Sequence, residues 1–455
     1  MINCFMKKGY QRRMSLKSLL QVGCRIWNFG VVSVLVLTVC NILLMLKLLH
    51  IERSDGGQAG PRPVPPLPPV IMDAFFPHNI TPVFEMNIHL GHWDNRRLLK
   101  MIDHALVGTL FDELSKRYSV CLATQSSLEK LHSLVQVANH WRGPISAALF
   151  AAGDEEFGLL QGYIDYLRHC YPAVRDRVSF HLAFPWDRLP SKNQPVKREG
   201  KLDCLHPEGF LHQLLKHRSS ELLRWRQKNP YPQNHLRNLA RKNCQTSRVF
   251  LTDVDIIPSL GMADGLEVFI KSDSCTSLCA YVIPTYEVDE RVPFPKNKSE
   301  LIRLKGRGLA RPFHHKVFIY NQYATNFSRW EQDQSRNQVH ISHGVTNFEF
   351  LYEPFYIAHD NVPPHDERFI GYGFTRNTQV YEMFVAGYQF FVLSPVFTVH
   401  WGLQHRKGRP SWRERQNANN RKFFEQFKRE VFTRYHKDPL HMVLHHTKDG
   451  QTAKS

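Results

Sequence analysis

Val249-Phe-Leu-Thr-Asp-Val-Asp-Ile-Ile-Pro-Ser259 is a short apolar run of strand formers that breaks into two acidic residues and is closed by Pro258 and Ser259. Val249, Phe250 and Leu251 read as the end of a buried strand. In open α/β sheets, ligands bind in the crevice outside the carboxyl ends of the strands. Asp253 and Asp255 stand where this strand should run out. Two carboxylates one residue apart can share a divalent cation, directly or through water. Such hard oxygen ligands suit Mg²⁺ or Mn²⁺, which in turn bridge phosphates. Asp-X-Asp alone arises about once by chance in a chain this long, so a polar strand end is the plain alternative. Aspartate-nucleophile phosphatases also carry the motif after a strand, but they want Thr or Val two residues beyond the second Asp. Ile257 stands there instead.

Working outward, the flanking sequence alternates strands and helices. Ser119–Thr124 reads as a first strand. A helix capped by Ser127 runs through Trp141, and Ile145–Ala151 is a second strand. A helix over Glu155–His169 follows, then a third strand over Val178–Ala183. Tyr231-Pro-Gln-Asn-His-Leu-Arg-Asn-Leu-Ala240 opens a helix that leads into the Asp253 strand. Such alternation predicts parallel βαβ units, hence an α/β fold with a mostly parallel doubly wound sheet. The chain has no Gly-X-Gly-X-X-Gly and no Gly-Lys-Ser/Thr loop, which argues against dinucleotide oxidoreductases and P-loop kinases.

The first 51 residues contain no acidic side chain, and six basic residues precede the apolar run Ile26–Leu46. That run is long enough for a bilayer core of roughly 30 Å. Its length, and Lys47, His50 and Glu52 after it, fit a signal anchor better than a cleaved signal peptide. The N-terminal positive flank predicts a cytosolic tail over 1–25, a transmembrane helix over 26–46 and a lumenal remainder. Residues 47–117 read as a stem, Pro-rich at 61–69, with a helix over Arg96–Leu114. A catalytic domain over 118–440 and a tail over 441–455 complete the division. Cys121, Cys170, Cys204, Cys244, Cys275 and Cys279 form an even lumenal set, which permits disulfides but leaves the pairing open. Asn79, Asn297 and Asn326 head glycosylation sequons. A net charge of +18 would suit nucleic acid, but the secretory topology points to an anionic lumenal ligand and to no nucleic acid.

The order and spacing of several blocks resemble glycosyltransferase family 49. They are Tyr231–Ala240, Phe250–Ser259, Pro295–Leu301, Ala324–Trp330, Glu353–Ala358, Asp366-Glu-Arg-Phe-Ile-Gly-Tyr-Gly-Phe374 and Phe397-Thr-Val-His400. The similarity is strongest to its glucuronyltransferases that act on the O-mannosyl glycan of α-dystroglycan. It implies a GT-A fold, a Golgi type II membrane protein, a UDP-sugar donor, Mn²⁺ and inverting transfer. The donor would be UDP-glucuronate and the acceptor a β-xylose on a glycoprotein glycan. Asp253, Asp255 and His400 would then bind the metal. Without the resemblance, a His after the apolar run 390–399 is more often a buried hydrogen-bonded residue. Arg237 and Asn238 would contact the donor, and Thr124 and Gln125 would seat the uridine. Asp366 or Glu367 would be the general base, the alternative being a structural carboxylate paired with Arg368. Lys296, Lys298 and Arg311 could hold a glucuronate carboxylate, with Arg311 preferred for its bidentate fork. His359-Asp360 and Trp401–Pro410 depart from the family's pattern, and this leaves the substrate open. A related hexosyl- or N-acetylglucosaminyltransferase and a non-catalytic transferase partner stay as alternatives. A homodimer or a complex with other Golgi transferases also stays open.

Overall fold

The computed structural model describes residues 87–191, 203–272, 278–333, 338–405 and 410–443, with Thr38, Val39, Asn41, Leu43, Phe84 and Cys275. The chain divides into a unit Met1–Val70 and a unit Ile71–Ser455. Apart from four of its residues, the expected anchor at 26–46 lies outside the described residues. No described helix is long and apolar enough to cross a membrane.

The second unit holds fourteen described strands: β1 His92–Trp93, β2 Leu99–Leu106, β3 Val120–Ser127, β4 Ile145–Phe150, β5 Val178–Pro185, β6 Arg248–Leu251, β7 Ile256–Pro258, β8 Cys279–Ile283, β9 Thr285–Val288, β10 Ala310–Pro312, β11 His340–Gly344, β12 Phe355–His359, β13 Gln389–Ser394 and β14 Thr398–Trp401. Ten form one sheet, ordered β1-β2-β5-β4-β3-β6-β12-β8-β13-β11, and four form another, ordered β10-β9-β14-β7. The consecutive strands β5, β4, β3 and β6 are parallel, as the alternation predicts. The mostly parallel expectation needs correction beyond them. β12 inserts antiparallel between β6 and β8, and β2 pairs antiparallel with β5. The sheet is therefore mixed.

Successive residues of a strand face opposite sides. Leu122, Ala147, Leu149, Phe180 and Leu182 face a core that includes Trp141, Phe157, Leu160 and Ile164. Ala123, Ala148 and Ala183 face the other side, against Leu236, Leu239 and Ala240 of the helix Gln233–Lys242. Small side chains on that face let the helix lie close to the sheet.

Two expectations shift at the N-terminal edge. The stretch expected as a helix over Arg96–Leu114 is β2 followed by a helix over Phe111–Arg117. β2 pairs with β5 from Leu99↔Pro185 onward, so the sheet begins inside the 47–117 stretch expected as stem. The helix expected from Ser127 to Trp141 is a 3₁₀ turn over Leu128–Ser133 and an α-helix over Leu134–His140. The six cysteines of the expected lumenal part pair as Cys121–Cys244, Cys170–Cys204 and Cys275–Cys279. The first bond ties β3 to the segment between the Gln233–Lys242 helix and β6.

Candidate active site

β6 is buried along its length between β3 and β12, with Leu251 opposite both Ala123 and Tyr356. Thr252 N still donates to Ala123 O at 3.0 Å, after which the chain leaves the sheet. A turn closes with Ile256 N on Asp253 O at 3.0 Å, and the chain then enters β7 in the second sheet. The two aspartates are thus strung between the sheets. β14 pairs with β7 so that His400 lies opposite Ile256. That register brings the imidazole beside Asp255, with Nε2 3.7 Å from Oδ2.

Asp253 is a hub for cations. Its Oδ1 accepts from Arg376 Nη2 at 2.7 Å, from Arg237 Nη2 at 3.4 Å and from Gln125 Nε2 at 3.4 Å. Tyr231 OH fixes Gln125 through Oε1 at 2.5 Å. Arg237 and Arg376 are both buried, and Arg376 also lies over the Phe355 ring at 4.4 Å. Two guanidinium groups meet one carboxylate, and each keeps a buried nitrogen without a hydrogen bond: Arg376 Nη1 and Arg237 Nε. Burial raises the Asp253 pKa, but the two arginines outweigh it and hold the group below the usual carboxylate range. Burial and Arg376 depress the Arg237 guanidinium to about 10, against the raising pull of Asp253. Burial also raises Glu353 despite both arginines.

Asp255 accepts from Lys130 Nζ at 3.1 Å on the oxygen that faces His400. Burial pushes this carboxyl up, yet His400 and Lys130 together pull it well below its ordinary value. His400 Nδ1 is buried without a hydrogen-bond partner, and Gln404 Nε2 lies 3.3 Å from Nε2. Asp255 and His400 face one another, and Asp253, two residues along the chain, is turned to its arginines. Two carboxylates and a borderline imidazole are a donor set whose chemistry fits Mn²⁺. Asp253, Asp255 and His400 would hold it.

The remaining expected residues separate into those at this site and those elsewhere. Thr124 is fully buried within β3, which runs on to Ser127, and its hydroxyl has no partner. Asn238 points away from Asp253 and bonds His365 O at 2.8 Å and Glu367 Oε1 at 3.0 Å. Asp366 is gripped by Arg368, with Nη2 to Oδ2 at 2.6 Å, and Arg368 is shared with Glu430. This is the structural pairing the sequence left as the alternative. Among the described residues, the side-chain hydrogen bonds and ion pairs of Asp366 and Glu367 run to Arg368, Asn238 and His235, not to the metal pair.

Arg311 lies opposite Glu287 in the second sheet and donates to it at 2.8 Å, so its fork is already occupied. Lys298 Nζ is buried on Ser394 Oγ, Trp330 O and Asp333 O, while Lys296 is exposed. Arg311→Met strands the fully buried Glu287 on two backbone donors, His314 N and Gln404 N. The expected result is a loss of about 2 kcal/mol of stability in urea unfolding. UDP affinity of the folded fraction should not change. Asn297 and Asn326 are exposed, and each caps a helix through its side-chain oxygen. Asn79 lies outside the described residues.

Arg376 and Lys130 were missed by sequence reading. Arg376 sits just before the helix Asn377–Ala386, and Lys130 in a 3₁₀ turn. Neither position has a local signature.

A separate cavity of about 300 Å³ lies against another face of the Gln233–Lys242 helix, lined in part by Trp93, Asp94, Asn238, Lys242 and Glu367.

An Asp pair at the carboxyl end of a buried strand, an imidazole brought across from a second sheet and surplus arginines make an arrangement that can take a divalent cation and an anionic ligand. The protein is a glycosyltransferase. Residues 119–436 match the family described as "Glycosyl-transferase for dystroglycan", and the chain belongs to that family. It is 32% identical over 322 residues to β-1,4-glucuronyltransferase 1 of Homo sapiens, a match covering 70% of this chain and 77% of that one. The Danio rerio protein of that name is 29% identical over 334 residues, covering 71% and 76%. The xylosyl- and glucuronyltransferase LARGE1 of Mus musculus is 26% identical over 293 residues, covering 64% of this chain and 32% of that one.

Proposed function

We propose that the chain transfers glucuronate from UDP-glucuronate, with inversion, to a β-xylose on O-mannosyl glycans. In this reading it is a Mn²⁺-dependent β-1,4-glucuronyltransferase of GT-A type, anchored as a type II protein in the Golgi membrane. The observation that carries the reading is His400 facing Asp255, with Asp253 two residues away held by two buried arginines. The names of its relatives support glucuronate as the sugar. Mn²⁺ held by the three ligands would take up charge on the departing UDP. Arg376 and Arg237 have one Asp253 carboxylate between them and N–H groups to spare. They take an anionic group of the donor, a role the sequence had given to Arg311. Thr124 and Gln125 close the uridine end.

The test is a UDP-sugar panel offered to the full-length chain in detergent with Mn²⁺, read by UDP release. UDP-glucuronate with a β-xyloside acceptor is expected to exceed UDP-glucose, UDP-xylose and UDP-N-acetylglucosamine, and chelation to abolish release. A preference for an uncharged donor would replace glucuronate with that sugar. Lumenal placement predicts that endoglycosidase shifts the expressed protein's mobility. Asn297→Gln with Asn326→Gln should remove the part of that shift due to these sites. A wild-type band that does not move would count against the type II topology.

A further inference from the structure

The Gln233–Lys242 helix carries two sets of polar side chains. Asn234, Arg237 and Arg241 recur at i, i+3 and i+7, and Arg237 reaches the donor site. His235, Asn238 and Lys242 recur with the same spacing one position on, so they form a neighbouring stripe. Asn238 and Lys242 line the second cavity, as does Arg241, and Asp94 and Glu367, which face His235, line it too. His235 is fully buried, and neither of its ring nitrogens has a hydrogen-bond partner. Its Nε2 is aimed between two carboxylates, 3.6 Å from Asp94 Oδ2 and 3.7 Å from Glu367 Oε2. All three ligand atoms lie within 4.8 Å of one another.

These separations are too long for hydrogen bonds. They suit a shared ion instead. For metal–ligand bonds of about 2.0–2.2 Å, the edge of a tetrahedron is roughly 3.3–3.6 Å. Each carboxylate is also fixed from behind. Leu99 N donates to Asp94 Oδ1 at 2.6 Å and Arg96 N to Oδ2 at 3.0 Å. Asn238 Nδ2 holds Glu367 Oε1 at 3.0 Å and leaves Oε2 turned toward His235. Outer hydrogen bonds of this kind orient metal ligands.

We propose that Asp94, His235 and Glu367 form a second divalent-metal site of the zinc class, distinct from Asp253, Asp255 and His400. Three protein ligands leave a fourth position open toward the cavity, for water or a ligand oxygen. One nitrogen and two oxygens favour Zn²⁺ over Mn²⁺ at equal supply. The ligands come from the β1–β2 turn, the helix that presents Arg237 and the segment that leads to Arg376. The metal would clamp these three segments together beside the donor site. The site stands whether or not the sugar assignment does.

The full-length chain, free of any tag, is stripped with chelator and titrated with Zn²⁺, and bound metal is counted after dialysis. Asp255→Asn removes a ligand of the first site. In that background one Zn²⁺ equivalent is expected to remain, and Asp255→Asn with His235→Leu should lose it. Co²⁺ in place of Zn²⁺ should give the visible absorption of a four-coordinate site, absent from the double variant. Because His235→Leu could disturb packing, the near-isosteric Glu367→Gln serves as the second test, with an expected loss of at least tenfold in Zn²⁺ affinity. The alternative is a protonated His235 paired with the two carboxylates and no metal. Equal metal content in the single and double variants, or unchanged affinity in Glu367→Gln, would overturn the site.

Discussion

Asp255→Asn is expected to lower transfer at least about a hundredfold while the protein stays folded. The change keeps the shape of the side chain and removes the charge that a divalent ion needs. Losing metal stabilisation of the leaving diphosphate removes several kcal/mol from the transition state, and each 1.36 kcal/mol is about tenfold in rate. The stability cost is small because Asp255's partners tolerate the loss: Lys130 is mostly solvent-exposed, and His400 Nε2 also has Gln404 Nε2 at 3.3 Å. Asp253→Asn is expected to behave differently. It leaves Arg237 and Arg376 buried side by side without their shared carboxylate. An uncompensated buried charge costs roughly 3–5 kcal/mol. Asp253→Asn should therefore lose both activity and thermal stability. Initial rates with saturating Mn²⁺ and melting curves on both variants separate the two roles. Normal turnover in Asp255→Asn would make the motif a structural strand end.

That contrast could not be drawn from the sequence, which treats the two aspartates alike. Apolar runs located β3, β4, β5 and β6 to within a few residues, because strands buried on both faces read as continuous hydrophobic stretches. The same runs do not say which partner a strand takes. β12 was therefore invisible as the antiparallel neighbour of β6, although Glu353–Ala358 was marked as a block. β2 was misread as helix because its residues, Leu99-Lys-Met-Ile-Asp-His-Ala-Leu106, alternate poorly and its outer half is only half-buried. Long-range register explains the rest. His400 becomes a neighbour of Asp255 only through the β14–β7 pairing, so its role came from resemblance and not from local sequence. Arg311 looked free because Glu287, its partner, lies on another strand. Asp366 had its partner two residues away at Arg368, and that pairing was legible from the start. His235 was quoted as part of a motif without a role, since the carboxylates facing it come from residues 94 and 367.

Arg376 is where sequence and structure differ most in consequence, and replacing it is the second large effect expected. Its guanidinium donates to Asp253, stacks on Phe355 and keeps Nη1 unpartnered within a buried site. A buried N–H with no protein acceptor costs free energy unless something supplies one, and an anionic donor group would do so. Arg376→Gln keeps a donor and removes the charge. Charge-assisted hydrogen bonds in such sites are worth about 3 kcal/mol, so kcat/KM for UDP-glucuronate should fall a little over a hundredfold. Arg376→Lys keeps the charge without the planar fork and should recover only part of that loss. Asp253 retains Arg237 in both variants, so metal binding should survive, and this can be checked by Mn²⁺ titration of the purified proteins. A donor panel then locates the contact. If Arg376 meets the sugar carboxylate, Arg376→Gln should lose discrimination for UDP-glucuronate over UDP-glucose while UDP inhibits as before. If it meets the diphosphate, both donors and UDP should weaken together. Unchanged kinetics with every donor would leave Arg376 as the structural counter-ion of Asp253 alone and return the donor's anionic group to Arg237.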